Sequence, residues 1–442
     1  MTGTSIPGLS RRGFLGLAGA AIAAAGLSAC NVSGSSNSGG SSGDASGELK
    51  FWDMPWGTPQ YNELGKKIVD GYTPAQGFGK ASYQTIQWNG FYQTFSSAIA
   101  SKTGPAVSSG AGFQAFQFAD QGAIAYADNF IETLKSDGTY DDFLPGIVDT
   151  MKTDKGYVAI PWQTDVRPFW YNKAVLEEAG AKVPTTWDEL LTAGQALKKI
   201  GVSGFATGSG AGNPLGVQAM VAMMINNGGG LFDADGKPDC VTDANIEAME
   251  FVKQLANEGI IDKGAVSYTA ENLDTQWNTK KAAIGIHTPG LADRVTKVAD
   301  DLLVAAPLTS PSGTVAGLFY VNNLMMYTNT PSQEASEAVL KYYLGQIHTY
   351  WENPVGLSGV PVLKSITTAD YYTKDPHQVA IVEKWIPVCK TFAATGTQSF
   401  AALAAVDGGQ ALVQFTQTML QGQTDAKAAL TTLQQGLEAV VK

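Results

Sequence analysis

The sequence is poor in the residues that build metal sites and disulfide frameworks: it has 3 cysteines and 3 histidines in 442 residues. Cys240 and Cys389 have no cysteine or histidine neighbour at metal-ligand spacing, so no zinc site is visible. One distant pair is not a framework either, and pairing or two buried free thiols both stay open. His287, His348 and His377 share no motif, which argues against a histidine-based triad or metal cluster. Positive charge is also scarce. The 29 Lys and Arg against 40 Asp and Glu give −11, with no basic run, and this excludes a nucleic-acid binder, which needs a basic face to release counterions. No glycine-rich Lys-Ser/Thr loop is present, so ATP hydrolysis would have to come from a partner, and no cofactor is implied. Charged residues are only 16%, yet 44% of the chain is hydrophobic, and the 18 Phe, 16 Tyr and 9 Trp supply large rigid surface. That rules out disorder, and at ~100–200 residues per domain the length suggests two or three domains.

The N-terminal apolar stretch, residues 14–29, falls short of the ~20 residues that span a bilayer and is rich in Ala and Gly. Arg11 and Arg12, followed by Gly13, Phe14 and Leu15, resemble a twin-arginine export signal. Leu27-Ser28-Ala29-Cys30 resembles the lipobox of bacterial lipoproteins. A structural helix is the alternative, but neither caps nor a polar face accompany it. Residues 1–29 are therefore expected to be a signal peptide and Cys30 the lipidated first residue, with the mature chain anchored on the outer face of the membrane. Loss of Arg11 and Arg12 takes the net charge from −11 to −13. Residues 31–47 are almost entirely Ser, Gly and Asn, a composition that predicts a flexible tether.

From Glu48 onward, short apolar runs alternate with amphipathic segments. Residues 49–52 and 83–88 read as strands. Residues 63–72, 187–200, 244–258, 333–344 and 426–441 read as helices, with Thr185-Thr186 and Asp243 at two starts and Gly259 as a stop. This interleaving predicts α/β layers. No internal repeat appears, and no long linker divides the chain after Gly47. Segment 156–172, whose apolar strands are broken by polar residues and two prolines, is the natural place for the chain to cross between lobes.

Residues 156–190, GYVAIPWQTDVRPFWYNKAVLEEAGAKVPTTWDEL, carry the strongest signature of a known family. Residues 228–238, 278–286 and 310–323 add further blocks in that family's order, although 106–112 lacks its usual Pro-Asp pair. The chain resembles the extracellular solute-binding proteins of ABC transporters, in the group that carries sugars and oligosaccharides. The resemblance implies a periplasmic-binding-protein-like α/β fold, in which two α/β lobes are joined by a three-crossover hinge with the ligand cleft between them. Crossovers would fall near 164–167, 314–319 and 359–363. Lobe one would then comprise 48–164 plus 319–360, and lobe two 165–318 plus 361–442. It further implies a monomer with no enzymatic activity that hands an oligosaccharide to a membrane permease with a separate ATPase.

A pyranose has polar edges and a less polar C–H face, so its site needs aromatic platforms and planar hydrogen-bonding groups. Strand-end loops offer Trp52, Asp53, Trp56, Trp88, Asn89 and Gln114, and Trp56, between Pro55 and Gly57, is the leading platform. Core packing is the competing reading for each tryptophan. At the first crossover Asp165 would accept hydroxyls and Arg167 orient it, against the plainer reading of a surface ion pair. Asn213, His287, Phe319, Tyr320, Asn322, Asp407 and Gln410 complete the expected set. Asp407 is read as a possible cap of a helix running to Leu420, and His287 alone would more often be structural. The rival functions are a tethered secreted glycoside hydrolase, which would need only two carboxylates across a cleft, and the same fold binding a polyol, peptide or other solute.

Overall fold

Residues 49–53, LKFWD, bury every position but Lys50 and form the first strand of a large sheet. The computed structural model describes residues 45–441 except Asn89, Pro354 and Ser358. The expected signal peptide, Cys30 and most of the tether therefore lie outside the described residues. Among the described residues there are twelve strands: β1 Leu49–Asp53, β2 Ala81–Thr85, β3 Val107–Gly110, β4 Lys152–Thr153, β5 Gly156–Tyr157, β6 Ile160–Val166, β7 Phe169–Asn172, β8 Ile284–Ile286, β9 Leu302–Val304, β10 Gly317–Met326, β11 Val360–Pro361 and β12 Cys389–Lys390.

Seven strands form one sheet in the order β11-β6-β10-β3-β1-β2, with β12 pairing to β10. β1 runs parallel to β2 and β3, with Phe51 opposite Tyr83 and Val107. β10 lies antiparallel to β3 and β6, and its ten residues are all buried, as expected of a strand covered on both faces. A register shift between Asn322 and Asn323 marks a bulge in this strand, the kind of feature that re-aims side chains. A second sheet, β8-β7-β9, is antiparallel, with Trp170 opposite Gly285 and Val304. Gly285 is required there because a Cβ would lie 2.5 Å from the Ala206 carbonyl oxygen. The chain leaves the large sheet at Val166 and enters the small one at Phe169. It returns between Val304 and Gly317.

The expected helices appear with shifted ends. The helix Trp187–Lys199 is capped by the Thr186 side chain, which accepts from Glu189 N, with Asp188 and Glu189 in its first turn and Lys198 and Lys199 in its last, complementing the helix dipole at both ends. The helix Asp243–Asn257 is capped by Thr242 rather than Asp243, which sits in the first turn. The helix Pro59–Asp70 starts earlier than the apolar pattern suggests, because Pro59 at the first position already holds helical φ. Every residue of the helix Leu215–Asn226 is buried, so it is a central helix with no solvent face, and it packs against β10. Cys240 and Cys389 are both buried and unpaired among the described residues, which resolves the thiol question in favour of free cysteines.

Candidate ligand site at the strand ends

In open α/β sheets, ligands bind beyond the carboxyl ends of parallel strands. Here those ends belong to β1, β2 and β3, and they carry Asp53, Trp56, Trp88 and Gln114. Asp53, the last residue of β1, is fully buried. Its Oδ1 accepts from Met54 N at 2.9 Å, Trp56 Nε1 at 3.2 Å and Ser109 Oγ at 2.5 Å, and its Oδ2 accepts from the Tyr61 and Tyr83 hydroxyls at 3.0 and 2.9 Å. Burial pushes its pKa up to about 6 against the lowering effect of these donors. Its oxygens are thus taken up by the protein's own donors, which fix the loop that presents Trp56.

Trp56 is 3% exposed, not an open loop platform. Its ring meets Trp162 and Trp88 edge-to-face at 5.8 and 4.8 Å. Trp88, in contrast, is 39% exposed. Trp52 packs edge-to-face on Phe95 in the core, so core packing describes it better than a platform does. Asn89 lies outside the described residues. Gln114 is buried, with its Oε1 accepting from Ala111 N at 3.1 Å and its Nε2 without a partner among the described residues. Asn322 Oδ1 accepts from Gly112 N, and the bulge lets the neighbouring Asn323 Nδ2 donate to Gly112 O, both at 3.1 Å. Gln163, opposite Asn322, is fully buried with both amide atoms unpartnered among the described residues.

A second cluster forms where β6 gives way to the small sheet. Arg167 meets both carboxylate oxygens of Asp165, and its Nε donates to Gln218 Oε1 at 2.6 Å. Burial works against the guanidinium charge, but Asp165 outweighs it and holds the Arg167 pKa above its ordinary value. The side chains are 5% and 13% exposed, so the plain reading of a surface pair does not hold. The Arg167 guanidinium lies 5.1 Å from the centre of the Tyr320 ring, a cation–π contact. Tyr320 also packs on Phe392 at 5.5 Å and Phe113 at 5.9 Å, and its hydroxyl donates to Asp407 Oδ1 at 3.3 Å. Burial pushes Asp407 up to about 6, opposed by the Tyr320 hydrogen bond and the Arg167 charge. Phe319 lies beside this cluster in β10, buried and opposite Val166.

Asp407, Gln410, Asn213 and His287 are each placed by their local structure. Asp407 ends the short helix Leu403–Asp407 and caps nothing. The helix Gln410–Gln421 starts from Gly409 without a side-chain cap, and Gln410 is exposed. Asn213 closes a local turn, donating to Tyr268 O and accepting from Leu215 N. His287 is buried, with Nδ1 accepting from Thr288 N and Arg294 Nη2, and Nε2 3.3 Å from Asp274 Oδ1; burial lowers its pKa to about 4, the signature of a neutral structural histidine. Sequence reasoning missed Gln218, Phe113, Phe392, Gln163 and the Tyr61–Tyr83–Ser109 cage. Gln218 alone left a trace, as an interior polar residue of an otherwise apolar helix. Among the described residues no cluster of His, Cys, Asp and Glu could hold a metal, and no helix is long and apolar enough to cross a membrane.

Comparison with known proteins places this geometry. A solved sugar transporter of Arthrobacter chlorophenolicus A6, with laminaribiose bound, is 57% identical and superposes with a TM-score of 0.85, covering 90% of this chain and 100% of that one. A binding protein of Brucella abortus (strain 2308) is 25% identical over 328 residues, 73% of this chain and 77% of its own. YcjN of Escherichia coli (strain K12), named as a periplasmic-binding protein of an ABC transporter, is 23% identical over 319 residues, 68% of this chain and 71% of its own. The fold is periplasmic-binding-protein-like, with two α/β lobes, and these relatives are transport and binding proteins rather than enzymes. With the model of the bacterial extracellular solute-binding proteins matching residues 66–346, the chain belongs to that family.

Proposed function

We propose that this protein is the capture component of an ABC transporter for sugar and takes up a short glucose oligosaccharide of the laminaribiose kind. The observation that carries this reading is the 57% identity, over nine-tenths of the chain, to a protein solved with that disaccharide. The site chemistry agrees with it. The buried Trp56, held beside Asp53, packs against the exposed Trp88, and the Asp165–Arg167 pair and the Tyr320 ring stand at the neighbouring strand crossing. A ring face would pack on the aromatics, and hydroxyl pairs would meet the carboxylate and the amides of Gln114, Gln163 and Asn322.

In this reading the lobes are 48–164 plus 319–360 and 165–318 plus 361–442. They close on the sugar about crossings near 164–167, 314–319 and 359–363, and the closed monomer docks on a membrane permease. The protein is held outside the cell by a lipid on Cys30 after removal of residues 1–29, and it does not cleave its ligand.

Titration calorimetry with laminaribiose tests the central claim. Micromolar binding, about −8 kcal/mol, is expected, with intact disaccharide recovered afterwards. No heat with laminaribiose or any other glucose disaccharide sinks the sugar reading, and release of glucose sinks the non-enzymatic one. Mass spectrometry of the native protein showing an unmodified Cys30 removes the anchor.

A further inference from the structure

The helix Leu215–Asn226 is buried throughout, and before its last position a single polar side chain breaks its apolar run: Gln218, 5% exposed. Burying an amide costs free energy unless its ends find partners, so its place calls for a reason. The terminal Asn226 has a structural one, since it accepts from the Trp187 indole and donates to the carbonyls of Leu308 and Ala316. Gln218 serves the charged cluster instead. Its Oε1 accepts from Arg167 Nε at 2.6 Å, and its side chain reaches the Tyr320 hydroxyl, where it works against the burial that raises the tyrosine pKa. The helix holds it firmly in place: a Cβ on Gly216, two residues earlier, would stand 2.7 Å from the Gly208 carbonyl oxygen. Polar groups carried on such rigid elements keep their direction.

A guanidinium carries five N–H hydrogens in a fixed plane, and their acceptors can be counted. Nε spends its one hydrogen on Gln218. Nη1 spends its two on Asp165 and on the Val166 carbonyl, the latter at 3.0 Å, and Nη2 gives one to Asp165 Oδ2 at 2.9 Å. Among the described residues one Nη2 hydrogen is left without an acceptor. The Asp165 carboxylate grips two of the three nitrogens, which still lets the plane rock about the line of its two oxygens. The Gln218 bond to the third nitrogen removes that freedom.

Resting on the sugar reading above, we infer that Gln218 is a positioning residue, which fixes the Arg167 plane so that its remaining Nη2 hydrogen is offered to one hydroxyl of the bound sugar. Gln218 acts through Arg167 and sets the direction of the donor that touches the ligand.

The test is titration calorimetry of the full mature chain with laminaribiose and with its monodeoxy analogues, each lacking one hydroxyl, on the wild type, Gln218→Met and Gln218→Glu. In the wild type, the analogue without the hydroxyl that Arg167 addresses is expected to bind about tenfold more weakly than laminaribiose. Gln218→Met keeps the volume but removes the acceptor. It should bind laminaribiose about tenfold more weakly, and the penalty for that one analogue should shrink below about threefold while the penalties for the others persist. Gln218→Glu keeps an acceptor for Arg167 Nε and should restore laminaribiose affinity to within about threefold, together with the discrimination. If the methionine variant folds poorly, Gln218→Asn, one methylene shorter, withdraws the acceptor and should show the same selective loss. An equal factor of loss for every analogue, as from a purely structural role, overturns the positioning and leaves sugar capture standing. So do wild-type behaviour in Gln218→Met and a failure of Gln218→Glu to restore the discrimination. No binding of laminaribiose or any other glucose disaccharide to the wild type overturns the inference and the sugar reading together.

Discussion

Two carboxylates near strand ends, the fully buried Asp53 and the partly buried Asp165, are held in opposite ways. Asp53 sits among neutral donors: two tyrosine hydroxyls, a serine, an indole and a backbone amide. Hydrogen bonds from neutral groups offset only part of the cost of a buried charge, so its pKa is pushed up to about 6. Asp165 instead faces the Arg167 guanidinium, which answers both of its oxygens with N–H donors. The difference separates support from polarity. The Asp53 cage locks a tryptophan in place and tolerates loss of charge, whereas the Asp165 pair maintains a formal positive and negative charge where the chain changes sheets, and each partner depends on the other.

Removing one partner tests that dependence most severely. Asp165→Ala leaves a guanidinium 5% exposed without its counter-charge and should cost about 3–5 kcal/mol in urea unfolding, with sugar affinity lost as well. The double variant Asp165→Ala/Arg167→Met, which removes both charges, should recover at least half of that stability. A single-variant cost under about 1 kcal/mol would place the pair on the solvated surface and erase the contrast.

The cage should reveal itself through pH. Asp53 has a raised folded pKa, about 6 against ~3.9 unfolded, so between those values the folded state holds a proton that the unfolded state has released. Its contribution to stability is therefore fully present below pH ~4 and is lost as pH rises through about 6. Asp53→Asn removes that titration. The stability gap between wild type and Asp53→Asn should then widen by about 2–3 kcal/mol on going from pH 7 to pH 4, because each pKa unit is worth ~1.4 kcal/mol. Asp407, raised to about 6, and His287, lowered to about 4, titrate in the same window with opposite signs, but they are common to both proteins and cancel in the difference. A gap that stays constant or narrows on acidification contradicts the neutral-donor account.

Much of this was legible in the sequence, and what was not has a physical cause. Alternating apolar runs gave the α/β class, and cap residues such as Thr186 gave helix starts to within a residue, since both are local effects. The Asp165–Arg167 pair was visible because its two members are two positions apart, Asp165 in β6 and Arg167 just beyond its end. The cage was not visible, because Asp53 meets Ser109 across 56 positions and Tyr83 across 30, and no local pattern marks such partners. Exposure was inverted for the tryptophans for the same reason: Trp56, flanked by Pro and Gly, reads as an open loop, yet Trp162 from a distant strand packs against its ring. The capping alternative for Asp407 falls because the short helix Leu403–Asp407 ends there and the next begins from Gly409, a boundary that sequence patterns fix poorly.

The mildest test divides the cage from within. Ser109 Oγ donates to Asp53 Oδ1 and accepts from Trp56 Nε1 at 3.0 Å, so it links the carboxylate to the aromatic wall. Ser109→Ala removes one donor from Asp53, but Asp53 retains its other four, and the Trp56 indole still reaches Asp53 Oδ1. No buried group is stranded, so the cost should be that of one net hydrogen bond, about 1 kcal/mol in urea unfolding. With one fewer donor lowering it, the Asp53 pKa should move further above 6, extending the pH window in which stability falls. Sugar affinity should drop only slightly, through a less firmly held Trp56. If Ser109→Ala instead costs as much as Asp165→Ala, the cage is cooperative rather than additive, and the contrast between a tolerant support and an interdependent charge pair fails.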